Sequence, residues 1–422
     1  MKKTTTLLAG ILVCAGLFAQ VNSSQSYTKN LLKAVNNKVT LSGEEVLSHL
    51  MVNPNPTTSP NAKLASANEV LIGTTTYDLQ SNAAVQNRII HHDDGTISAG
   101  WTTSQQLNAS WSDRGTGYNF FDGTNWGANP TTRLESSRGG WPSIIAMGSG
   151  KEASVTHNTD NSHINMTYRS TTGTGSWSEQ NISSLNDSTG IYRYMIWNRS
   201  AVGGLNKETI HMVALTAPTG NGGTTYNGLD GALLYYRSLD EGVTWDIQDM
   251  QLPGMDTSML VGMGGDIYAI AAQGETVVVA YFDDWGDSFI VKSTDNGTTW
   301  EKTTFLDFPV DKYAMDDGLD LDGDGIYDQV YSTDNYGAIV LDATGEAHVF
   351  YGIMMYLDDD LTDASSSWFP SINGIGYWNE SMGEDVTPAT VHAGDTSLWY
   401  SDMMDNNWIV QAPDLNGDGI VG

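Results

Sequence analysis

Cysteine is nearly absent from the 422-residue chain: Cys14 is the only one. It lies in a stretch that opens with Lys2 and Lys3 and continues as the apolar run Leu7–Ala19, the charged start and short hydrophobic core of a secretory signal peptide. Cleavage near Ala19 is expected, leaving a mature chain without a disulfide. Long hydrophobic runs are missing too. The leader's run falls short of the roughly 20 residues of a membrane span, and no later stretch reaches that length. The mature chain is therefore expected to have no transmembrane segment and to be secreted or held at the cell surface. Basic residues are the third scarcity. Lys and Arg number 19 against 50 Asp and Glu, a formal charge of −31, and removal of the leader takes away two more lysines. So acidic a chain repels nucleic acid and anionic membrane. Arginine ends altogether at Arg237.

Aromatic residues are plentiful: 13 Trp, 19 Tyr and 9 Phe sit among β-patterned runs, which excludes a disordered acidic chain. Residues 20–67 read as a polar arm or linker with a short helix at 42–52, where Ser42 and Glu45 stand at capping-box spacing. Pro54, Pro56 and Pro60 end it. From 68 to 413 short β-rich runs alternate with Gly, Asn, Asp and Ser, the pattern of an all-β domain built from repeated sheets. Expected strands include 70–77, 88–92, 96–102, 143–147, 276–282, 338–341 and 396–402.

One stretch recurs. Ser238-Leu-Asp-Glu-Gly-Val-Thr-Trp245 and Ser293-Thr-Asp-Asn-Gly-Thr-Thr-Trp300 share Ser-x-Asp-x-Gly-x-x-Trp, and Phe121–Trp126 and Thr172–Trp177 keep its glycine and tryptophan. Asp and Ser can bond nearby amides in a tight turn, Gly supplies the positive φ, and Trp folds back as an apolar plug. The stretch resembles the Asp-box, or BNR, repeat of sialidase-like β-propellers. That resemblance implies four-stranded blades, and one blade per 45 to 60 residues from Ala84 gives six. In the family the box lies away from the central site, so it speaks for fold and hardly for function.

Asp320-Leu-Asp-Gly-Asp-Gly-Ile-Tyr-Asp328 places oxygen donors as an EF-hand-type loop does. Asp320, Asp322, Asp324 and Asp328 would offer carboxylates and Ile326 its carbonyl to calcium. Tyr331 holds the position of the usual bidentate acid, so Asp316, Asp317 or Asp334 would have to complete the shell. Residues 414–422 begin a second, dockerin-like loop with Asp414, Asn416 and Asp418 in the same register.

The same resemblance supplies catalytic candidates. Asn87-Arg88-Ile89-Ile90 followed by Asp94-Gly-Thr96 is similar to the family's Arg-Ile-Pro segment, which makes Arg88 the first of three arginines clamping a substrate carboxylate. Asp113 falls where the acid/base would come, and Tyr400-Ser401 where the tyrosine nucleophile would. The clamp's late arginine has no counterpart after Arg237. Arg114, Arg133, Arg138, Arg193 and Arg199 cluster in the first half, and Glu135, Glu179 and Asp160 are the candidates for a paired-carboxylate glycosidase. Two functions are expected in order: an exported, calcium-stabilised propeller binding a glycan or an extracellular protein without catalysis, and, as the alternative, a diverged exo-sialidase or other glycoside hydrolase. Further arginines around Arg88 within reach of one carboxylate would favour the second.

Overall fold

A computed structural model describes residues 70–384, except 85–86, 109, 159–162 and 183–193, together with three short strands outside that range. The described residues hold no α-helix. After β1 (Val35–Asn36) come five antiparallel sheets. The first contains β2 (Ile89–His91), β3 (Ile97–Thr103) and β4 (Gly115–Phe121). The second contains β5 (Gly139–Ala146), β6 (Glu152–Asn158), β7 (Ile164–Arg169) and β8 (Ser178–Ile182). The third contains β9 (Met195–Gly203), β10 (Thr209–Thr216), β11 (Leu233–Ser238) and β12 (Ile247–Gln251), and the fourth β13 (Tyr268–Gln273), β14 (Thr276–Tyr281), β15 (Ser288–Ser293) and β16 (Glu301–Leu306). The fifth is built on β17 (Gln329–Leu341), β18 (Ala347–Leu357) and β19 (Ser367–Asn379); β20 (Thr390–Val391) pairs with β17, and β1 and β21 (Trp408–Val410) pair with β19.

Each sheet is a meander whose strands follow chain order, and the first strands pack in series: β5 against β9, β9 against β13, β13 against β17. Residues of β2, β5, β9, β13 and β17 together line one axial cavity of about 840 Å³. The arrangement is propeller-like. Composition tracks position across a sheet: second strands such as β10 and β14 are largely apolar and almost wholly buried, because both faces meet a neighbouring sheet, whereas the outer strands β8, β12 and β16 are more polar and partly exposed. The expected strand at 70–77 is extended chain outside any ladder, tied by Thr75 and Thr76 to the carbonyls of Thr102, Ser104 and Gln106. The signal peptide, the candidate helix at 42–52, the expected strand at 396–402 and the start of the second acidic loop at 414 lie outside the described residues.

The two Ser-x-Asp-x-Gly-x-x-Trp stretches connect third to fourth strands, β11 to β12 and β15 to β16, and make the same bonds. Ser238 Oγ accepts from Gly242 N at 2.7 Å and Ser293 Oγ from Gly297 N at 2.9 Å. Asp240 and Asp295 each accept from the backbone N and the hydroxyl of the threonine four residues on, at 2.6–2.8 Å. Glycine is obligatory on two counts: φ is +85° at Gly242 and +80° at Gly297, and a Cβ would strike Met166 or Tyr235 of the preceding sheet. Trp300 meets Tyr235 edge-on at 4.9 Å. Trp245 and Trp300 are partly rather than fully buried, so they wedge a seam between sheets instead of plugging a core. The weaker variants at 121–126 and 172–177 follow the third strands β4 and β7.

Because third strands run parallel to first strands in a meander, all four of these turns lie at the rim where the inner strands end. The opposite rim, where the inner strands begin, is where the chain departs most from regular structure.

Candidate functional site

Close to the start of four inner strands, and at the mid-strand bulge of β17, stands a non-glycine residue with positive φ: Asn87 (51°), Trp141 (52°), Trp197 (49°), Asp266 (68°) and Asn335 (69°). In β5, β9 and β17 the ladder slips at this point, between Gly140 and Ser143, around Trp197, and between Thr333 and Gly337. Such bulges re-aim side chains, and left-handed non-glycine residues persist only where their surroundings hold them. Here they bring Trp141, Trp197 and Asp266 together near the axis, the tryptophans 0% and 2% exposed.

Asp266 is the hub. Its carboxylate accepts from Asn82 N (2.9 Å), Asn82 Nδ2 (3.2 Å), Ser81 Oγ (3.3 Å), Trp141 Nε1 (2.5 Å) and Arg199 Nη2 (2.7 Å). Arg199 also donates to the Ala84 and Asn198 carbonyls. Arg88 donates to the Gln80 carbonyl at 2.8 Å, and its Nε and Nη1 have no partner. Burial, then repulsion from Arg199, lowers its pKa to about 9 against the pull of Asp266. Arg114 stands on the far side of Trp141, its guanidinium over the Tyr77 and Trp141 rings at 5.0 and 5.3 Å and bonded to the Gly139 carbonyl and Tyr77 hydroxyl. One arginine, Arg199, thus pairs with a carboxylate of the chain itself, with Arg88 near enough to feel the charge of both.

Asp113 is not brought to this cluster. Its oxygens accept from Ser104 Oγ and Gln105 N at 2.5 and 2.8 Å. Partial burial raises its pKa, the two bonds outweigh that, and the group ends below the usual range, the reverse of what an acid needs. Glu135 is buried, which raises its pKa, and both oxygens are taken by the hydroxyl and N–H of Thr116; Glu179 accepts from Ser136 N and Oγ. Neither carboxylate lines a cavity at this rim. Tyr400, Arg193, Asp160, Asp414, Asn416 and Asp418 lie outside the described residues.

Beside the hub opens a cavity of about 470 Å³. Ser81, Asn82 and Ala83 form one wall, Trp197 and the Gly264-Gly265 backbone another, and Asp334, Asn335 and Tyr336 of the β17 bulge a third, with Met354, Tyr356 and Trp368 opposite. Four polar atoms of these walls, Asn82 Oδ1, Asn335 Oδ1 and the indole N–H groups of Trp197 and Trp368, are buried without a partner among the described residues, each a standing cost that a ligand could relieve. Tyr336 is 52% exposed. Behind Tyr356 lies an aromatic cluster, Trp285 stacked on Tyr313 at 4.9 Å with Phe308 beside both. Of these wall residues only Asp334 was singled out from the sequence, and that as a possible calcium ligand. Pro142, a proline within a strand, and the Gly264-Gly265-Asp266 run are the sequence signals of broken ladders that could have found them.

The acidic loop leads from β16 into β17 at the same rim. One carboxylate oxygen from each of Asp320, Asp322 and Asp328 falls within a sphere where all lie less than 4.8 Å apart. Asp320 accepts from Gly323, Asp324 and Gly325 N, and Asp324 instead accepts from Ile326 N at 2.8 Å. Three oxygen donors so placed suit a hard cation. Of the acids proposed to complete the shell, Asp316 accepts from Ala364 N and Asp334 lines the cavity.

No protein-family model matches the chain, and no curated protein does. Among solved structures, the Trypanosoma rangeli sialidase in complex with the inhibitor DANA is similar at 15% identity over 68% of this chain and 54% of its own, with a TM-score of 0.35. An ulvan lyase, a polysaccharide lyase, matches at 12% identity over 71% of this chain and 70% of its own (TM-score 0.39), and the NanB sialidase of Streptococcus pneumoniae at 12% over 63% and 35% (TM-score 0.34). The chain thus aligns with about half the length of the Trypanosoma sialidase.

Proposed function

We propose that the chain is an exported propeller-type protein that binds a glycan in the 470 Å³ cavity and does not turn it over. The observation that carries this reading is the cavity wall: two indole N–H donors and two amide acceptors without partners, beside Tyr336, Tyr356 and Trp368. Sugar hydroxyls both donate and accept, and sugar faces stack on aromatic rings, so one wall satisfies both needs. Turnover is disfavoured because Arg199 is already paired with Asp266, Arg88 is buried against the Gln80 carbonyl, and the acid candidate Asp113 is held ionised. The two Ser-x-Asp-x-Gly-x-x-Trp turns are taken as Asp boxes. A sixth blade is proposed because Ile89 on β2 and Val340 on β17, the inner strands at the two ends of the series, stand 70% and 50% exposed.

Immobilised glycans of varied composition, probed with the full chain, test the reading. Binding that Trp368→Ala weakens roughly tenfold or more is expected, on the scale of losing one buried aromatic contact, with background release from a fluorogenic sialoside. Turnover abolished by Arg88→Ala would overturn the non-catalytic reading and promote the exo-sialidase alternative.

Calcium at Asp320, Asp322 and Asp328 is the second part of the proposal. Binding to the folded state alone stabilises by about 2.7 kcal/mol at one hundred times Kd. Chelator is expected to lower Tm by several degrees in the wild type and not in Asp322→Ala. Equal melting with and without chelator, and no calcium heat in calorimetry, would reject the site.

A further inference from the structure

Resting on the reading of the cavity as a saccharide site, we infer that it selects neutral sugars and rejects those carrying a carboxylate. Among the described residues that line it, none is Lys, Arg or His, and Asp334 is the ionisable acid on its wall. The nearby guanidiniums lie behind the Ser81–Ala84 segment. Arg199 is bound to the Ala84 carbonyl, Ser81 Oγ and Asp266, and Arg88 to the Gln80 carbonyl. A carboxylate entering the cavity would meet Asp334 and two amide oxygens, Asn82 Oδ1 and Asn335 Oδ1, with neutral donors alone to offset them, among them the indoles of Trp197 and Trp368 and the Tyr336 hydroxyl. A hydroxyl can engage all four atoms, because it donates to the amides and accepts from the indoles. The Tyr336 phenol reports the same field: burial first, then the charges of Asp334 and Asp266, raise its pKa, so it stays a neutral hydroxyl at the mouth.

The test uses matched pairs of probes: gluco-, galacto- and manno-oligosaccharides, and the same chains oxidised at C6 to uronates, titrated calorimetrically at low ionic strength. At least one neutral chain is expected to bind roughly tenfold more tightly than its oxidised partner, as one like charge at short range would impose. Added salt shrinks the ratio. Asp334→Asn, which keeps the side-chain shape, narrows the ratio between neutral and oxidised chains, and Trp368→Ala weakens the neutral chain itself. An oxidised chain that binds as well as its neutral partner, with a ratio indifferent to Asp334→Asn, overturns the inference and leaves the saccharide reading standing. Failure of every chain in both series sinks the saccharide reading and this inference with it.

Discussion

Asp266→Ala is expected to lower the unfolding free energy by about 3–5 kcal/mol, the loss typical of removing one partner from a buried ion pair. The carboxylate is fully buried and takes bonds from Asn82, Ser81, Trp141 and Arg199. Without it, Arg199 and Arg88, which already repel one another, are left buried with no opposing charge in contact, and the Ser81–Ala84 segment loses its anchor. Asp266→Asn separates the two effects: it keeps an acceptor for Trp141 and Asn82 and cancels only the charge. Urea unfolding should therefore rank wild type above Asp266→Asn above Asp266→Ala. An alanine variant whose midpoint matches wild type would show that the hub is not a keystone.

Acid should expose a second buried group. His211 is shut between sheets with its Nδ1 2.6 Å from the Tyr235 hydroxyl. Burial, reinforced by the positive charge of Arg237, lowers its pKa to about 3. The unfolded chain takes up a proton near pH 6.5, and the folded one does not until about pH 3. The unfolded state therefore binds more protons in that window, and stability falls as pH falls through it. The contribution is fully present above pH 6.5 and drains at up to about 1.4 kcal/mol per unit below it, on the order of 4–5 kcal/mol in all. Carboxylates whose pKa values are lowered, Asp295 and Asp342 among them, add their own acid dependence. The measurement is therefore the difference between wild type and His211→Gln, which keeps a polar group for Tyr235. A flatter stability profile between pH 6 and 4 in the variant is the expected result; parallel profiles would contradict it.

Much of the all-β plan was legible in the sequence, because strand runs carry their own signal. The run at 276–282 is apolar at nearly every position and became the buried β14. The repeated turns were legible because Ser, Asp and Gly act through local bonds that spacing alone reveals. Strands β4, β9, β12, β16 and β19 escaped notice. Glycines in β4 and the polar alternation of the outer strands resemble loop composition, and only pairing with a neighbour makes them strands. The site was less legible still. Arg88 was picked out for its resemblance to a clamp arginine, but the groups it stands near are far apart in the chain, Arg199 in another sheet and Asp266 in a third. Asp113 followed from sequence position relative to Arg88, and its bonds to Ser104 and Gln105 turn it to local service. Of the four acidic positions in the loop, Asp320, Asp322 and Asp328 bring carboxylate oxygens close together, whereas Asp324 turns to the Ile326 N–H, a difference set by local turns that spacing alone does not reveal.

The seams join sheets that are neighbours in the chain. Glu241, in the turn of the third sheet, accepts from Ser149 of the second. Asn296, in the turn of the fourth, donates to Thr209 of the third, and Lys292 of the fourth reaches Gly345 and Glu380 of the fifth. Each later module is therefore tied to the one made just before it, by contacts 53 to 92 residues apart in the chain. During synthesis from the N-terminus, a seam can shut as soon as the following module leaves the ribosome. The Asp266 hub obeys a different clock. Its bond to Ser81 spans 185 residues, so the axis cannot lock until the fourth module has emerged, and the N-terminal modules must wait, latched to one another but not yet centred.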